Sequence, residues 1–197
     1  MGPCYYPGHW AVARQMFDTI WWLLRTRTRA LPASGVAVVV LDAIRSYESL
    51  FDVDTLRSID RTVRWAEERG HRVVYTRWVR TREMSDAGDS IDAKGHWTFY
   101  VPPGTSESLV SDAYHIPTRF TNAFSHEAFQ EAVGDCTSLV LTGAWTESCV
   151  INTARAAVER GFDVTVLRPA CTGHRMSRWV SLFTLQDMYA TVVDHIL

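Results

Sequence analysis

One lysine, Lys94, stands among the 20 lysine and arginine residues of this 197-residue chain, so every other fixed side-chain cation is an arginine. Chemistry that needs a compact ammonium group has a single side chain to draw on. An excess of charge of one sign is also missing: the basic residues meet 22 acidic ones, and the net charge is -2. That balance lacks the basic footprint that a phosphate backbone or an anionic membrane surface selects, so no nucleic-acid and no membrane partner is expected. No CxxC pair occurs among Cys4, Cys136, Cys149 and Cys171, which removes the usual zinc and dithiol spacings. With no secretory signal pattern ahead of them, reduced thiols and a cytoplasmic setting are expected. Long apolar runs are absent too. The most apolar N-terminal stretch, residues 17–24, carries Asp18 and is followed by Arg25, Arg27 and Arg29; a bilayer needs about 20 apolar residues. It reads as an amphipathic helix on the outside of the domain. No internal repeat, low-complexity tract or linker breaks the chain.

What is present is enough for a core. Apolar residues make up 47% and charged residues 21%, the balance of a globular chain, and the length suits one domain. From Gly35 to Leu41 the run GVAVVVL is continuously apolar and β-branched, as in a strand buried on both faces of a parallel sheet. It ends at Asp42. Residues 53–69 place Leu56, Ile59, Val63 and Trp65 at helical spacing and close at Gly70, a favoured helix stop. The pattern predicts further strands over 72–76, 138–142 and 163–167, with a short one in 109–116. Helices are predicted over 125–133, 147–160 and 176–196. Between residues 77 and 105 the punctuation by Asp86, Gly88, Asp89, Gly95 and Pro102-Pro103-Gly104 reads as a long loop.

Alternating strands and helices predict a three-layer, doubly wound α/β fold with a mainly parallel sheet and right-handed crossovers. Residues 35–197 would form this domain and residues 1–34 an N-terminal helical extension. Ligands of such folds bind beyond the carboxyl ends of the strands, so chemistry is to be sought just after residues 41, 76, 116, 142 and 167.

Asp42 sits at one of those ends, and Cys149 lies just past another, in the first turn of the predicted helix. A thiol near a helix N-terminus feels the positive end of the macrodipole and unpaired N–H groups, which favours its thiolate. The same N–H groups can hold an oxyanion, and a carboxylate in reach can move the proton. Taken alone, a cysteine after a strand is more often inert core than nucleophile, and a strand-end aspartate is as often a turn cap.

The string TGAWTESCVINTARAAVERGFDVTVL, residues 142–167, supplies the missing specificity. It resembles the nucleophile region of the isochorismatase-like cysteine hydrolases: a strand, Gly, two variable residues, Thr, Asp or Glu, one residue, Cys-Val, and a helix closing at Gly. Gly143, Thr146, Glu147, Cys149, Val150, Thr153, Ala154 and Gly161 occupy those places. Asp42, with Tyr47 five residues on, resembles the family's first block, and Ala123-Phe124 a third. The resemblance covers roughly residues 35–195. It implies a six-stranded, mainly parallel, Rossmann-like sheet, Cys149 as nucleophile, Asp42 as its proton acceptor, and a cis peptide between Ala144 and Trp145 beside an oxyanion site. Nicotinamidases, N-carbamoylsarcosine amidases, ureidoacrylate amidohydrolases and isochorismatases belong to this group. The isochorismatases proper lack the cysteine, so Cys149 points to amide, ureido or imide-like C–N bonds, a small-molecule substrate and no cofactor. Oligomers are usual in the family, and Trp21, Trp22, Leu23 and Leu24 are expected to bury against a second subunit of a dimer or larger assembly.

The sequence also departs from the family. The family lysine falls on Pro117 or Thr118 here, so Arg119, or Lys94 from the long loop, would have to supply the cation. Pro169-Ala170 stands where the family has Asp-Ala. The metal-binding Asp and His of nicotinamidases have no counterpart, and Asp86, Asp89, Asp92 and His96 fit no ligand spacing. Tyr47, Trp97, Phe124 and Trp145 are the candidates for a substrate wall; packing against the domain is the alternative for Trp97 and Phe99. Beside hydrolysis through a thioester, two other readings stay open: a relative altered for binding a small molecule or a protein, and ether hydrolysis of the isochorismatase type.

Overall fold

A computed structural model describes residues 14, 21–22, 25–78, 108–111, 113–118 and 120–197. At its centre is a six-stranded sheet built from β2 (Val36–Leu41), β3 (Arg72–Trp78), β4 (His115–Thr118), β5 (Ser138–Gly143), β6 (Asp163–Cys171) and β7 (Thr191–Val193). The order is β4-β3-β2-β5-β6-β7, and every neighbouring pair is parallel. The chain starts in the middle, winds outward to β4, then returns and winds outward to β7. This is the doubly wound pattern, and it leaves β2 and β5 adjacent at the point of reversal.

All six residues of β2 are buried, because its two faces serve two cores. Val36, Val38 and Val40 pack with Ile59 and Ala66 of α1 (Val53–Glu68). Ala37, Val39 and Leu41 face the opposite layer, made by α2 (Glu127–Val133), α3 (Ile151–Val158) and α4 (Arg175–Met188) through Phe129, Val133, Ala154, Ala157, Leu182 and Leu185. Helix α1 begins where the Asp52 carboxylate accepts the Thr55 N–H at 2.6 Å, a side-chain cap, and it ends before Gly70, whose φ of +68° only glycine adopts at little cost.

Three expectations need correction. The C-terminal helix stops at Met188, where the Tyr189 and Ala190 N–H groups both close on the Leu185 carbonyl. Thr191, Val192 and Val193 then pair with Thr165, Val166 and Leu167 as the sixth strand, a choice that suits three β-branched residues. The strand expected in 109–116 lies at His115–Thr118 instead; it is an edge strand, where Pro117 withholds no central ladder bond. Finally, Trp22 is buried within its own chain, edge-on to Phe183 at 6.0 Å and beneath the Arg27 guanidinium, while Trp21 stays exposed.

The chain ahead of β2 is tied down further along. Strand β1 (Thr28–Arg29) pairs in parallel with β8 (His195–Ile196) in a separate two-stranded sheet. Between them the Asp194 carboxylate accepts from Arg168 and from the Arg27 backbone N–H. Among the described residues no helix is long and apolar enough to cross a membrane.

Candidate active site

Strands β2 and β5 run side by side with Leu41 opposite Gly143, so the residues that follow each strand emerge together at the carboxyl rim. Asp42 leaves β2 at a φ of 50°, in the left-handed region that L-residues rarely use. Gly143 leaves β5 at a φ of 102°. The Ala144–Trp145 peptide is cis. Next comes a single turn of π-helix, Thr146–Val150, ahead of α3. It is fastened at its start, where the Trp145 carbonyl accepts the Ser148 and Val150 N–H groups at 3.0 and 3.1 Å. Cys149 is the fourth residue of that turn.

The geometry brings the Cys149 thiol and the Asp42 carboxylate near enough for each to shift the ionisation of the other. The carboxylate, 1% exposed, accepts the Thr76 hydroxyl at 2.9 Å, with the Trp78 backbone N–H also favouring its charged form. Burial pushes the Asp42 acid up to about 6, while the bonds from Cys149, Thr76 and Trp78 pull it down. The thiol is pushed up as well. Burial, and then the negative charge of Asp42, push Cys149 well above the ordinary thiol value, against weaker help from the Trp145 backbone and the Ser148 side chain. The thiolate expected from proximity to a helix start is therefore outweighed: desolvation of a 6% exposed sulfur and a neighbouring carboxylate keep the proton on sulfur at rest.

Aromatic groups and a carboxylate frame this pair. Tyr47, on the 3-10 turn Arg45–Leu50, stands edge-on to Trp145 at 5.5 Å. Burial, Asp42 and Cys149 all push its phenol up, so it stays protonated. On its other side Trp145 meets the His174 ring at 4.5 Å. Glu147 Oε1 accepts the His174 backbone N–H at 2.8 Å and the Ser177 hydroxyl at 3.1 Å. Thr146 gives both its N–H and its hydroxyl to the Thr172 carbonyl, at 2.9 and 2.8 Å. The turn that carries the sulfur is thus stitched to the segment between β6 and α4.

Of the residues singled out in the sequence, Asp42, Tyr47, Ala144, Trp145 and Cys149 share this rim. Phe124 does not. It is buried in the opposite core, edge-on to Phe129 at 5.0 Å and against Phe162 at 5.4 Å, with Arg160 over its ring, because the 3-10 turn Ala123–Ser125 packs beneath α3. Thr118 is buried with its hydroxyl on the Arg77 carbonyl at 3.3 Å. Arg119, Lys94, Trp97 and Phe99 lie outside the described residues, as do Asp86, Asp89, Asp92 and His96. Among the described residues no cation bonds Asp42 or Cys149, and no group of three or more His, Cys, Asp or Glu side chains converges to hold a metal ion. Thr76, Trp78 and His174 were not anticipated, and Glu147 was read only as a position of the nucleophile motif. The strand-end rule marks position 76, but nothing local marks Trp78 or His174.

Comparison with known proteins follows the same outline. The family model described as Isochorismatase domain matches residues 36–196. A cysteine hydrolase from Pseudomonas syringae pv. phaseolicola superposes with a TM-score of 0.66 at 18% identity, covering 83% of this chain and 90% of that one. A pyrazinamidase/nicotinamidase from Streptococcus mutans gives 0.62 at 19% identity, covering 80% and 99%. A ribonuclease from Caenorhabditis elegans gives 0.65 at 13% identity, covering 84% and 79%. At these identities the likeness shows the fold. No curated protein sequence matches the chain significantly.

Proposed function

The chain belongs to the isochorismatase domain family, and from that premise we propose that it is a cysteine hydrolase of small amide, ureido or imide-like C–N bonds. The observation that carries this reading is the juxtaposition of Cys149 and Asp42, both buried, at the carboxyl rim of the central strands, close enough to shift each other's ionisation. A buried thiol alone is inert; a buried thiol beside a carboxylate has a base in place.

With the thiol protonated at rest, attack and proton transfer are coupled. The Cys149 sulfur bonds to the carbonyl carbon as its proton passes to Asp42, and the carbonyl electron pair moves onto oxygen. The backbone N–H groups of Trp145, which lowers the thiol's pKa, and of Cys149 would receive the oxyanion. Collapse breaks the C–N bond, the amine leaves with the proton from Asp42, and a thioester remains. Water then attacks the thioester with Asp42 again accepting the proton, and Cys149 departs as the thiol. An Asp42 acid near 6 suits this double duty at neutral pH.

Ammonia release from small amides and carbamoyl compounds, including the nicotinamide and pyrazinamide suggested by one structural neighbour, tests the reading. Loss of turnover in both Cys149→Ala and Asp42→Asn is expected. Intact turnover in both would overturn it. Thr118 favours a second reading, a relative that binds without turnover: its buried hydroxyl stands where the family carries lysine. Tight binding of an amide with no ammonia released would select that reading.

A further inference from the structure

Asp42 and Thr76 clasp each other twice. The Asp42 backbone N–H donates to the Thr76 carbonyl at 3.3 Å, and the Thr76 hydroxyl returns a bond to Asp42 Oδ1 at 2.9 Å. Both residues are 1% exposed, so no water competes for either bond. A carboxylate buried this deeply is costly to ionise unless donors surround it. Among the described residues the groups that favour its charged form are neutral: the Thr76 hydroxyl, which donates to it at 2.9 Å, the Trp78 N–H and the Cys149 thiol. The thiol is the reacting group and the N–H is backbone, which leaves one side chain free to set how basic Asp42 is.

We propose that Thr76 is a positioning residue: its hydroxyl holds Asp42 as an anion aimed at Cys149, doing with a neutral dipole part of what a cation does beside a catalytic carboxylate. This rests on the cysteine hydrolase reading and adds to it a residue that acts through Asp42. The titratable and charged groups on the elements packed around Asp42 are Arg45, Tyr47 and Glu48 of the 3-10 turn, Arg72, Tyr75 and Arg77 of β3, His115 of β4, and Glu147 and Cys149 of the π turn. Of these, Cys149 shifts the carboxylate most directly. The bond from Thr76 stabilises the charged form only, so its loss moves the acid upward.

Carbamidomethylation of Cys149 by iodoacetamide, followed by peptide mass spectrometry from pH 4.5 to 8, tests this without a known substrate. The wild-type rate should fall on the acid side with a midpoint near 6, where Asp42 takes up its proton. Thr76→Val and Thr76→Ala should move that midpoint up by about one pH unit and slow labelling about tenfold on the acid side, as the loss of a bond to a charged group predicts. Thr76→Ser should restore the wild-type midpoint, which a purely structural role for the threonine methyl would not do. Wild-type midpoints in Thr76→Val or Thr76→Ala overturn the inference; if neither folds, a Thr76→Ser midpoint above the wild-type one does so. Asp42→Asn separates the two claims, because it should abolish the acid limb. If the limb survives in Asp42→Asn, or if Cys149 resists labelling at every pH, the base itself is misassigned and both readings fall.

Discussion

The Leu41 carbonyl occupies the space in which a side chain on Gly143 would begin. That oxygen accepts the Ala144 N–H at 2.8 Å, so the two central strands are drawn together just where their chains diverge toward the site. Gly143→Ala would push a methyl into backbone atoms of Leu41 that have nowhere to go, at a φ that already disfavours any Cβ. It should cost on the order of 3 kcal/mol, read as a lower urea midpoint. Its Cys149 should also label at the rate of an ordinary buried thiol. Wild-type stability would mean the rim relaxes more easily than this packing allows.

Asp42→Asn should raise stability while removing turnover. The folded protein holds the Asp42 acid up at about 6 against an ordinary value of 3.8, so ionising it works against the native state. That penalty is absent below pH 4, grows between pH 4 and 6, and is complete above. The asparagine variant should therefore match wild type at pH 3.5 and exceed it by about 3 kcal/mol at pH 8. Equal stability of the two proteins across pH 4 to 8 would contradict a buried, strained carboxylate.

Much of this arrangement was readable from residues 35–41, 138–143 and 142–161. Continuous β-branched runs can only be strands covered on both faces, and the strand-end rule then finds Asp42 and the turn after Gly143. Other features were hidden for physical reasons. Thr191–Val193 follows α4 with no glycine or proline between, so a helical period runs on through it until the pairing with β6 decides otherwise. Phe124 could be placed next to a helix from sequence, yet which face of the sheet that helix covers is a tertiary choice. The thiolate argument used the helix dipole, which is local, and missed burial and Asp42, which are not.

Asp194 locks the two ends of the chain together. It pairs with Arg168 at 2.5 Å, with side chains only 13% and 16% exposed, and its second oxygen takes the Arg27 N–H at 2.8 Å. Asp194→Ala would take the Asp194 carboxylate from a largely buried guanidinium, a change that costs about 3 kcal/mol. Hydrogen exchange should rise at Arg27–Arg29 and at His195–Leu197, whose backbone bonds depend on this corner. Unchanged exchange there would show that strand pairing alone suffices.

Glu147 should matter to both stability and reactivity, because one carboxylate oxygen serves two elements. Oε1 satisfies the His174 N–H and the Ser177 hydroxyl at the start of α4, where a negative charge also meets the positive end of the helix. Two residues further along the same turn is Cys149. Its other oxygen lies against Gly173, so closely that a side chain at 173 would displace it. Glu147→Ala should lower stability by about 1 to 2 kcal/mol through the lost cap, and it should slow labelling of Cys149 as the π turn loosens. Glu147→Gln keeps an acceptor and should fall between. Gly173→Ala, which keeps the carboxylate but displaces it, should reproduce the reactivity loss in iodoacetamide labelling. If Glu147→Ala destabilises while the sulfur keeps its wild-type rate, the turn is held by Thr146 and Thr172 alone, and the helix cap is independent of the nucleophile.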